Sequence, residues 1–170
     1  MGTGRTIIYS VGHSNLEPNV FISLLKNFKI EVLADVRSKP YSEYASQFNK
    51  GSLEKLCKSA GIAYVFMGNL LGGKPEDRSV VNRSGEINYR LLEQKDYFQT
   101  GIQKLLEVAG RKLVCIMCSE GHPEECHRHL LIAPVLERAG MEVWHILSDG
   151  NAIGSEVLRM ELSKGQLALF

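Results

Sequence analysis

The sequence has no hydrophobic run long enough to cross a membrane, and the apolar run that follows MGTGRT is too short for the core of a signal peptide. Its 20 basic and 19 acidic side chains leave a net charge of +1, so the overall charge neither selects nor excludes a nucleic-acid partner. The chain also lacks a Walker phosphate-binding loop and the glycine pattern of dinucleotide-binding folds. The lack of a membrane-spanning run and of a signal-peptide core predicts a cytoplasmic protein with no membrane partner.

The chain lacks a disulfide framework, because its four cysteines are not spaced like one. Cys115, Cys118 and Cys126 lie close together, and Cys57 falls in a predicted helix. In a reducing compartment such cysteines are free, catalytic or bound to metal. The sequence therefore predicts reduced thiols and leaves their role open.

What the chain does contain, over 170 residues, is a regular alternation of short apolar runs and amphipathic segments. The apolar runs predict five strands, at 6–12, 31–37, 62–67, 112–118 and 141–147. The amphipathic segments predict helices at 15–28, 52–61, 87–108 and 126–139, with a weak point at Gly101 and a kink at Pro134. This alternation predicts an α/β fold, a single domain with a mostly parallel five-stranded sheet flanked by helices. The domain is expected to span residues 1–150, followed by a C-terminal segment and tail at 151–170.

Polar, titratable and glycine residues follow the predicted strands at the point where each strand ends. In a parallel sheet the carboxyl ends of the strands share one edge, and ligands bind in the crevice beyond it. The residues expected at this edge are Gly12, His13, Ser14, Asp35, Arg37, Gly68, Gly72, Gly73, Cys118, Ser119, Glu120 and His145. Together with the start of the 126–139 helix they predict one cleft, in which Arg37 faces solvent.

The segment CSEGHPEECHRH, residues 118–129, concentrates reactive side chains between two apolar runs. Cys118 ends the fourth strand, whereas Cys115, three residues earlier, should face the opposite side of the sheet and belong to the core. Cys126 lies near the start of a helix, where backbone N–H groups lower the pKa of a thiol. The sequence therefore offers Cys118 or Cys126 as a reactive thiol.

Three functions are compatible with these residues. In an enzyme acting on a phosphate-bearing substrate, the catalytic candidates are Cys118, Cys126, His13, Asp35 and His127, with Asp35 either orienting His13 as a general base or forming a structural ion pair with Arg37. The substrate-binding candidates are Ser14, Arg37, Gly72, Gly73, Glu120 and Arg128, and the two arginines are expected to clamp the anion. The same pocket would also serve a non-catalytic domain that binds nucleic acid or a protein. In a metalloprotein Cys118 and Cys126, with His122, His127 or His13, would bind zinc or iron, but the spacing matches no standard metal motif, so no metal ligand or cofactor is assigned.

Five segments resemble a known family in the right order. They are VGHS at 11–14, LADVRSKPYS at 33–42, QFN at 47–49, GIAYVFMGNLLGG at 61–73 and CSEGHPEECHR at 118–128. They are similar to the family called domain of unknown function 488, which implies no particular reaction. The resemblance implies a set of residues to watch: Gly12, His13, Ser14, Asp35, Arg37, Pro40, Gly72, Gly73, Cys118, Glu120, Cys126, His127 and Arg128.

The sequence closes with GQLALF, in which Gln166, Leu167, Leu169 and Phe170 resemble the short peptide that bacterial replication and repair proteins dock on the sliding clamp. In such a tail the glutamine amide makes polar contacts and the apolar side chains fill a groove, while residues 163–165 form an extended lead. The alternative is that the apolar side chains fold back onto their own domain. Docking would predict an accessory of DNA replication or repair and would favour a nucleic-acid substrate.

Overall fold

The computed structural model describes residues 6–167, and six strands within this range form one sheet. They are β1 (Ile7–Gly12), β2 (Val32–Asp35), β3 (Ala63–Phe66), β4 (Val114–Cys118), β5 (Glu142–Ile146) and β6 (Ala152–Gly154). The strand order is β3-β2-β4-β1-β5-β6, and all neighbours are parallel except β5 and β6. The predicted single α/β domain with a mostly parallel sheet is confirmed. The sixth strand was not predicted, because three residues are too few to show an alternation of apolar and polar side chains.

Seven α-helices lie within the described range. They are α1 (Pro18–Asn27), α2 (Lys50–Ser59), α3 (Gly68–Leu71), α4 (Tyr89–Glu93), α5 (Asp96–Ala109), α6 (Ala133–Arg138) and α7 (Ser155–Leu167). One face of the sheet packs against α1 and α2 through Phe21 and Leu53, and the other packs against α5 and α6 through Phe98 and Leu136. None of the helices at 6–167 combines the length and the apolar character that a membrane crossing requires.

Side-chain alternation along β4 sends its two cysteines to opposite faces of the sheet. Cys115 packs in the cluster that contains Phe21, whereas Cys118 packs in the cluster that contains Phe98. Cys115 is fully buried, so the prediction that it is a core residue is confirmed.

Two helical regions differ from the sequence prediction. Residues 87–108 form two helices, α4 and α5, rather than one. Gly101 lies inside α5, where a Cβ would come within 2.8 Å of the Leu71 side chain, so this glycine allows α3 to pack closely and is not a weak point. Residues 128–132 form a π-helix that runs directly into α6, so the irregularity begins before Pro134.

The connections between strands explain where a ligand can bind. β1 and β4 are neighbours, but β1 leads to α1 on one face while β4 leads to the π-helix and α6 on the other. The crevice beyond the carboxyl ends of two such strands is the switch point at which open α/β sheets bind ligands. Two hydrogen bonds tie the loops at this crevice together, His13 N–H to the Cys118 carbonyl at 3.0 Å and Ser14 N–H to the Ser119 carbonyl at 2.9 Å.

Candidate metal centre

Two thiols and one imidazole meet at the carboxyl end of β4. Cys118 is the last residue of the strand, and Cys126 and His127 come directly before the π-helix. His127 Nδ1 lies 3.8 Å from Cys118 Sγ and 3.7 Å from Cys126 Sγ, and all three atoms lie within 4.8 Å of one another. Tetrahedral zinc, with bonds of about 2.3 Å to sulfur and about 2.0 Å to nitrogen, places these ligand atoms about 3.5 Å apart. The three atoms therefore fit one metal ion.

A hydrogen bond on the far side of the ring fixes the orientation of His127. Its Nε2 lies 3.1 Å from the carbonyl oxygen of Val36, which can only accept, so Nε2 carries the proton and Nδ1 presents a lone pair to the thiols. Metal-binding histidines are commonly held in this way by a carbonyl group. Gly73 leaves room for the ring, because a Cβ there would lie 2.6 Å from His127 Cγ.

The carboxylate of Glu120 is the fourth group at this centre. Its Oε2 accepts hydrogen bonds from Cys118 Sγ at 2.9 Å and from Cys126 Sγ at 3.4 Å. Burial opposes ionisation of Glu120, but hydrogen bonds from the Cys118 thiol, its own backbone N–H and the Cys126 thiol outweigh burial and lower the pKa of this carboxyl group. Glu120 therefore places a negative oxygen beside the three ligand atoms, where it can accept a proton from a bound water.

The two thiols differ in their tendency to ionise. The interaction with the Cys118 side chain lowers the pKa of Cys126, and the charge of Arg128 acts in the same direction against burial. The pKa of Cys118 is raised by this interaction and by burial. Metal binding would release the protons of both thiols, because cysteine binds metals as the thiolate.

The centre forms the floor of a cleft of about 660 Å³. Cys118 and His127 line this cleft and are 5% and 7% exposed, whereas Cys126 is 1% exposed. Its charged lining residues are Arg37, Lys39, Lys74, Glu76, Glu120 and Glu125. The cleft is therefore polar and carries both signs of charge around the thiols.

Arg37 is built into the fold rather than facing solvent as predicted. Its guanidinium donates to both carboxylate oxygens of Asp35, at 2.9 and 2.7 Å, and to the Phe48 carbonyl at 2.9 Å. Its Nη1 lies 3.1 Å from His13 Nε2, and His13 Nδ1 lies 2.7 Å from the Ser14 carbonyl. The prediction that Asp35 orients His13 is therefore wrong, because Asp35 bonds to Arg37. Burial lowers the pKa of His13, as does the nearby charge of Arg37.

Arg128 lies on the opposite side of the sheet from Arg37. It is fully buried and donates to Ser10 Oγ at 2.8 Å and to the Glu120 carbonyl at 2.7 Å. The prediction that both arginines clamp one anion in one cleft is wrong, because Arg128 instead holds the loop that carries Glu120. The space beside Gly72 is likewise filled by protein, since a Cβ there would lie 2.3 Å from Ser38 Oγ.

A buried chain of polar side chains on the same face as Arg128 was not predicted, and it contains His145, which was expected at the strand-end edge. Ser10 Oγ lies 2.5 Å from His145 Nδ1, His145 Nε2 lies 2.9 Å from His129 Nδ1, and Ser155 Oγ lies 3.2 Å from the same His129 nitrogen. Ser10, His145 and Ser155 are fully buried. Strand alternation could have placed Ser10 and His145 inside the sheet, but their contact depends on the pairing of β1 with β5.

These two histidines make the stability of the fold depend on pH. Burial lowers the pKa of His145 to about 3 and also lowers that of His129. Both titrate near 6.5 when unfolded, so below that pH the unfolded chain binds more protons and stability falls as the pH falls. We expect the unfolding free energy, measured with denaturant, to decrease by up to about 1.4 kcal/mol per pH unit for each buried histidine between pH 6.5 and the folded pKa. His145→Gln should reduce this slope and His122→Gln, at an exposed position, should not; equal slopes would contradict the expectation.

The last described residues extend the domain beyond residue 150. β6 pairs with β5, and α7 continues through Leu167. The predicted extended lead at 163–165 is wrong, because these residues are helical. The side chains of Gln166 and Leu167, and Leu169 and Phe170 entirely, lie outside the described part of the chain. Docking of this peptide on a sliding clamp therefore stays a prediction.

Comparison with known proteins agrees with the resemblance of the motifs. The model of the family Domain of unknown function DUF488 matches residues 17–134, a range that contains Arg37, the glycines of the 68–73 segment and all four groups of the candidate centre. No curated protein and no solved structure matches the chain. The family match covers well over half of the sequence, and the protein belongs to the DUF488 family.

Proposed function

We propose that this protein is a metal-dependent enzyme in which Cys118, Cys126 and His127 bind a zinc ion at the floor of the cleft. The observation that carries the proposal is the geometry of His127, whose Nδ1 faces two sulfur atoms at nearly equal distances while Nε2 is held by the Val36 carbonyl. Thiolate and imidazole ligands favour zinc over magnesium or calcium. Three protein ligands leave one tetrahedral position for water or substrate, as in catalytic zinc sites.

Hydrolysis is the reaction that this set of groups supports. A zinc ion held by these three residues would supply an activated water near neutral pH. Glu120 would accept the proton of this water as it attacks the substrate and would return that proton to the leaving group. The carboxylate therefore ends the cycle in the state in which it began.

Lysines on the cleft wall support a phosphate-bearing substrate, a nucleotide or nucleic acid. Lys39 and Lys74 are exposed there, and lysine binds phosphate as a mobile point charge. Glu76 and Glu125 line the same cleft and oppose them. The charge of the metal would add to that of the lysines and favour an anionic substrate.

Metal analysis tests the proposal directly. Protein purified without a polyhistidine tag should contain about one equivalent of zinc by plasma mass spectrometry, and Cys118→Ser, Cys126→Ser and His127→Ala should each weaken zinc binding by more than about 100-fold. Cys57→Ala and His122→Ala remove one cysteine and one histidine elsewhere and should keep the metal. Glu120→Gln should also keep it, because the carboxylate is assigned to proton transfer. Wild-type protein with less than about a tenth of an equivalent after growth with zinc would contradict the proposal.

A thiol-dependent enzyme is the second candidate, and the lowered pKa of Cys126 favours it. In that enzyme the Cys126 thiolate would be the nucleophile and His127 the proton carrier. Cys126 is almost completely buried, which hinders direct attack on a substrate. A metal-free protein in which iodoacetamide modifies Cys126 faster than a model thiol would favour this candidate over the metal centre.

A further inference from the structure

A second cavity, which we call the tyrosine pocket, adjoins the cleft. It has a volume of about 470 Å³, and its lining includes Tyr41, Tyr44 and His13. Arg37, Lys39 and Ser119 line both the cleft and the tyrosine pocket. A ligand in the tyrosine pocket would therefore lie next to the loop that carries Glu120.

The charge of the tyrosine pocket differs from that of the cleft. Three carboxylates line the cleft, whereas no acidic residue is found among the described residues that line the tyrosine pocket. Lys39 is exposed at the junction of the two cavities, and Arg37 lies beside it. Of the two cavities, the tyrosine pocket thus offers the better environment for a phosphate group.

The side chains of the two tyrosines at this pocket are largely exposed to solvent. The exposed fraction is 68% for Tyr41 and 94% for Tyr44. Aromatic rings that are exposed beside cations are the platforms on which proteins stack unpaired bases.

Local hydrogen bonds fix the loop that carries the rings. Ser42 Oγ accepts hydrogen bonds from the backbone N–H groups of Tyr44 at 3.1 Å and Ala45 at 3.3 Å. Asn49 Oδ1 accepts one from Ser42 N–H at 2.7 Å, which ties the loop to the start of α2. The loop is therefore ordered before a ligand binds, which reduces the entropy lost on binding.

We propose that the tyrosine pocket binds a nucleotide unit of the substrate, with an unpaired base stacked on Tyr41 or Tyr44 and its phosphate at Lys39. The reacting group of the same substrate would then extend past Ser119 toward Glu120 and the thiols; this step rests on the proposed function, whereas the binding itself does not. Duplex bases are already stacked on each other, so the unit belongs to a single strand or to a free nucleotide.

Fluorescence anisotropy with labelled single-stranded oligonucleotides of about twelve nucleotides tests this inference. At least one of Tyr41→Ala and Tyr44→Ala is expected to weaken binding by about 5- to 100-fold, whereas the phenylalanine variant at the same position keeps the ring and should stay within about twofold of the wild type. Lys39→Ala should weaken binding and reduce its salt dependence. Lys104→Ala, at an exposed position on α5, is the matched control and should change neither.

Competition identifies the source of the nucleotide unit. Displacement of the labelled strand by a nucleoside monophosphate at similar concentrations would assign the pocket to free nucleotides, and displacement only by unlabelled single strand would assign it to nucleic acid. Tyrosine-independent binding, equal binding of a duplex, or preferential binding of an acidic peptide would overturn the inference.

The metal content of the same proteins separates this inference from the proposed function. If the wild type binds the strand through its tyrosines but holds no metal, the proposed function fails and the inference stands. If the metal is present but the alanine variants bind like the wild type, the inference fails and the proposed function stands. Cys126→Ser, which is expected to lose the metal, should still bind the oligonucleotide.

Discussion

Gly12→Ala is expected to lower the unfolding free energy by about 3–5 kcal/mol and to disrupt metal binding. A Cβ on Gly12 would lie 1.7 Å from the carbonyl oxygen of Glu120 and 2.8 Å from Nη2 of Arg128. Gly12 cannot move away easily, because it is paired with Cys118 in the centre of the sheet. The loop that carries Glu120 must therefore shift, and it would lose its hydrogen bond to Arg128.

Denaturant unfolding and metal analysis of the same preparations measure this effect. Gly51→Ala is a suitable control, because nothing lies within 4 Å of the added Cβ and the residue is in α2, where alanine is expected to stabilise by up to about 1 kcal/mol. A Gly12→Ala protein with wild-type stability and full metal content would show that the Glu120 carbonyl does not lie against β1.

The sheet was predictable because most of its strands are short, nearly continuous runs of apolar residues in the sequence. The run VCIMC in β4 is apolar throughout, which predicts a central strand buried on both faces. All five of its residues are buried in the structure. Helix boundaries were less predictable, since α4 and α5 are separated by only a short turn. β6 could not be predicted, because it depends on antiparallel pairing with β5 rather than on its own sequence.

The candidate centre was predictable where its residues are neighbours in sequence. Cys118, Glu120, Cys126 and His127 belong to one segment, so a single loop brings them together. Arg128 could not be placed in the same way, because its direction is set by the π-helix that begins there, and no periodicity in the sequence indicates a π-helix. The sequence therefore indicated these residues as candidates, with no metal ligand assigned among them, but not which neighbouring side chains hold them in place.

Several glycines of the family segments are explained by contacts at the site rather than by phosphate binding. A Cβ on Gly68 would lie 1.8 Å from the Arg37 carbonyl, and one on Gly73 would meet the ring of His127. With Gly12, these positions let three loops approach the centre more closely than any side chain would allow. A glycine-rich pattern alone does not indicate a phosphate-binding loop, because glycines are also needed where backbone atoms or an imidazole ring pack closely against the chain.

The ion pair between Asp35 and Arg37 lies between the candidate metal centre and the tyrosine pocket, and both partners are removed from solvent. Asp35 is fully buried and Arg37 is 5% exposed. Asp35 Oδ2 also accepts a hydrogen bond from the Tyr64 hydroxyl at 2.7 Å, and Oδ1 accepts one from the Arg37 backbone N–H at 3.1 Å. The carboxylate thus holds the end of β2, from which the carbonyl of Val36 reaches His127.

Asp35→Asn is expected to destabilise the protein by about 3–5 kcal/mol, because it keeps the shape of the side chain but leaves the charge of Arg37 buried without a counter-charge. Denaturant unfolding at neutral pH measures the loss. Lys112→Ala breaks the exposed pair with Glu31 and should change stability by no more than about 1 kcal/mol, which makes it the matched control. Adding Arg37→Met to Asp35→Asn removes the unpaired charge and should recover part of the stability. If Asp35→Asn stayed within about 1 kcal/mol of the wild type, or if the double variant were less stable still, the buried charge would not be what makes this pair important.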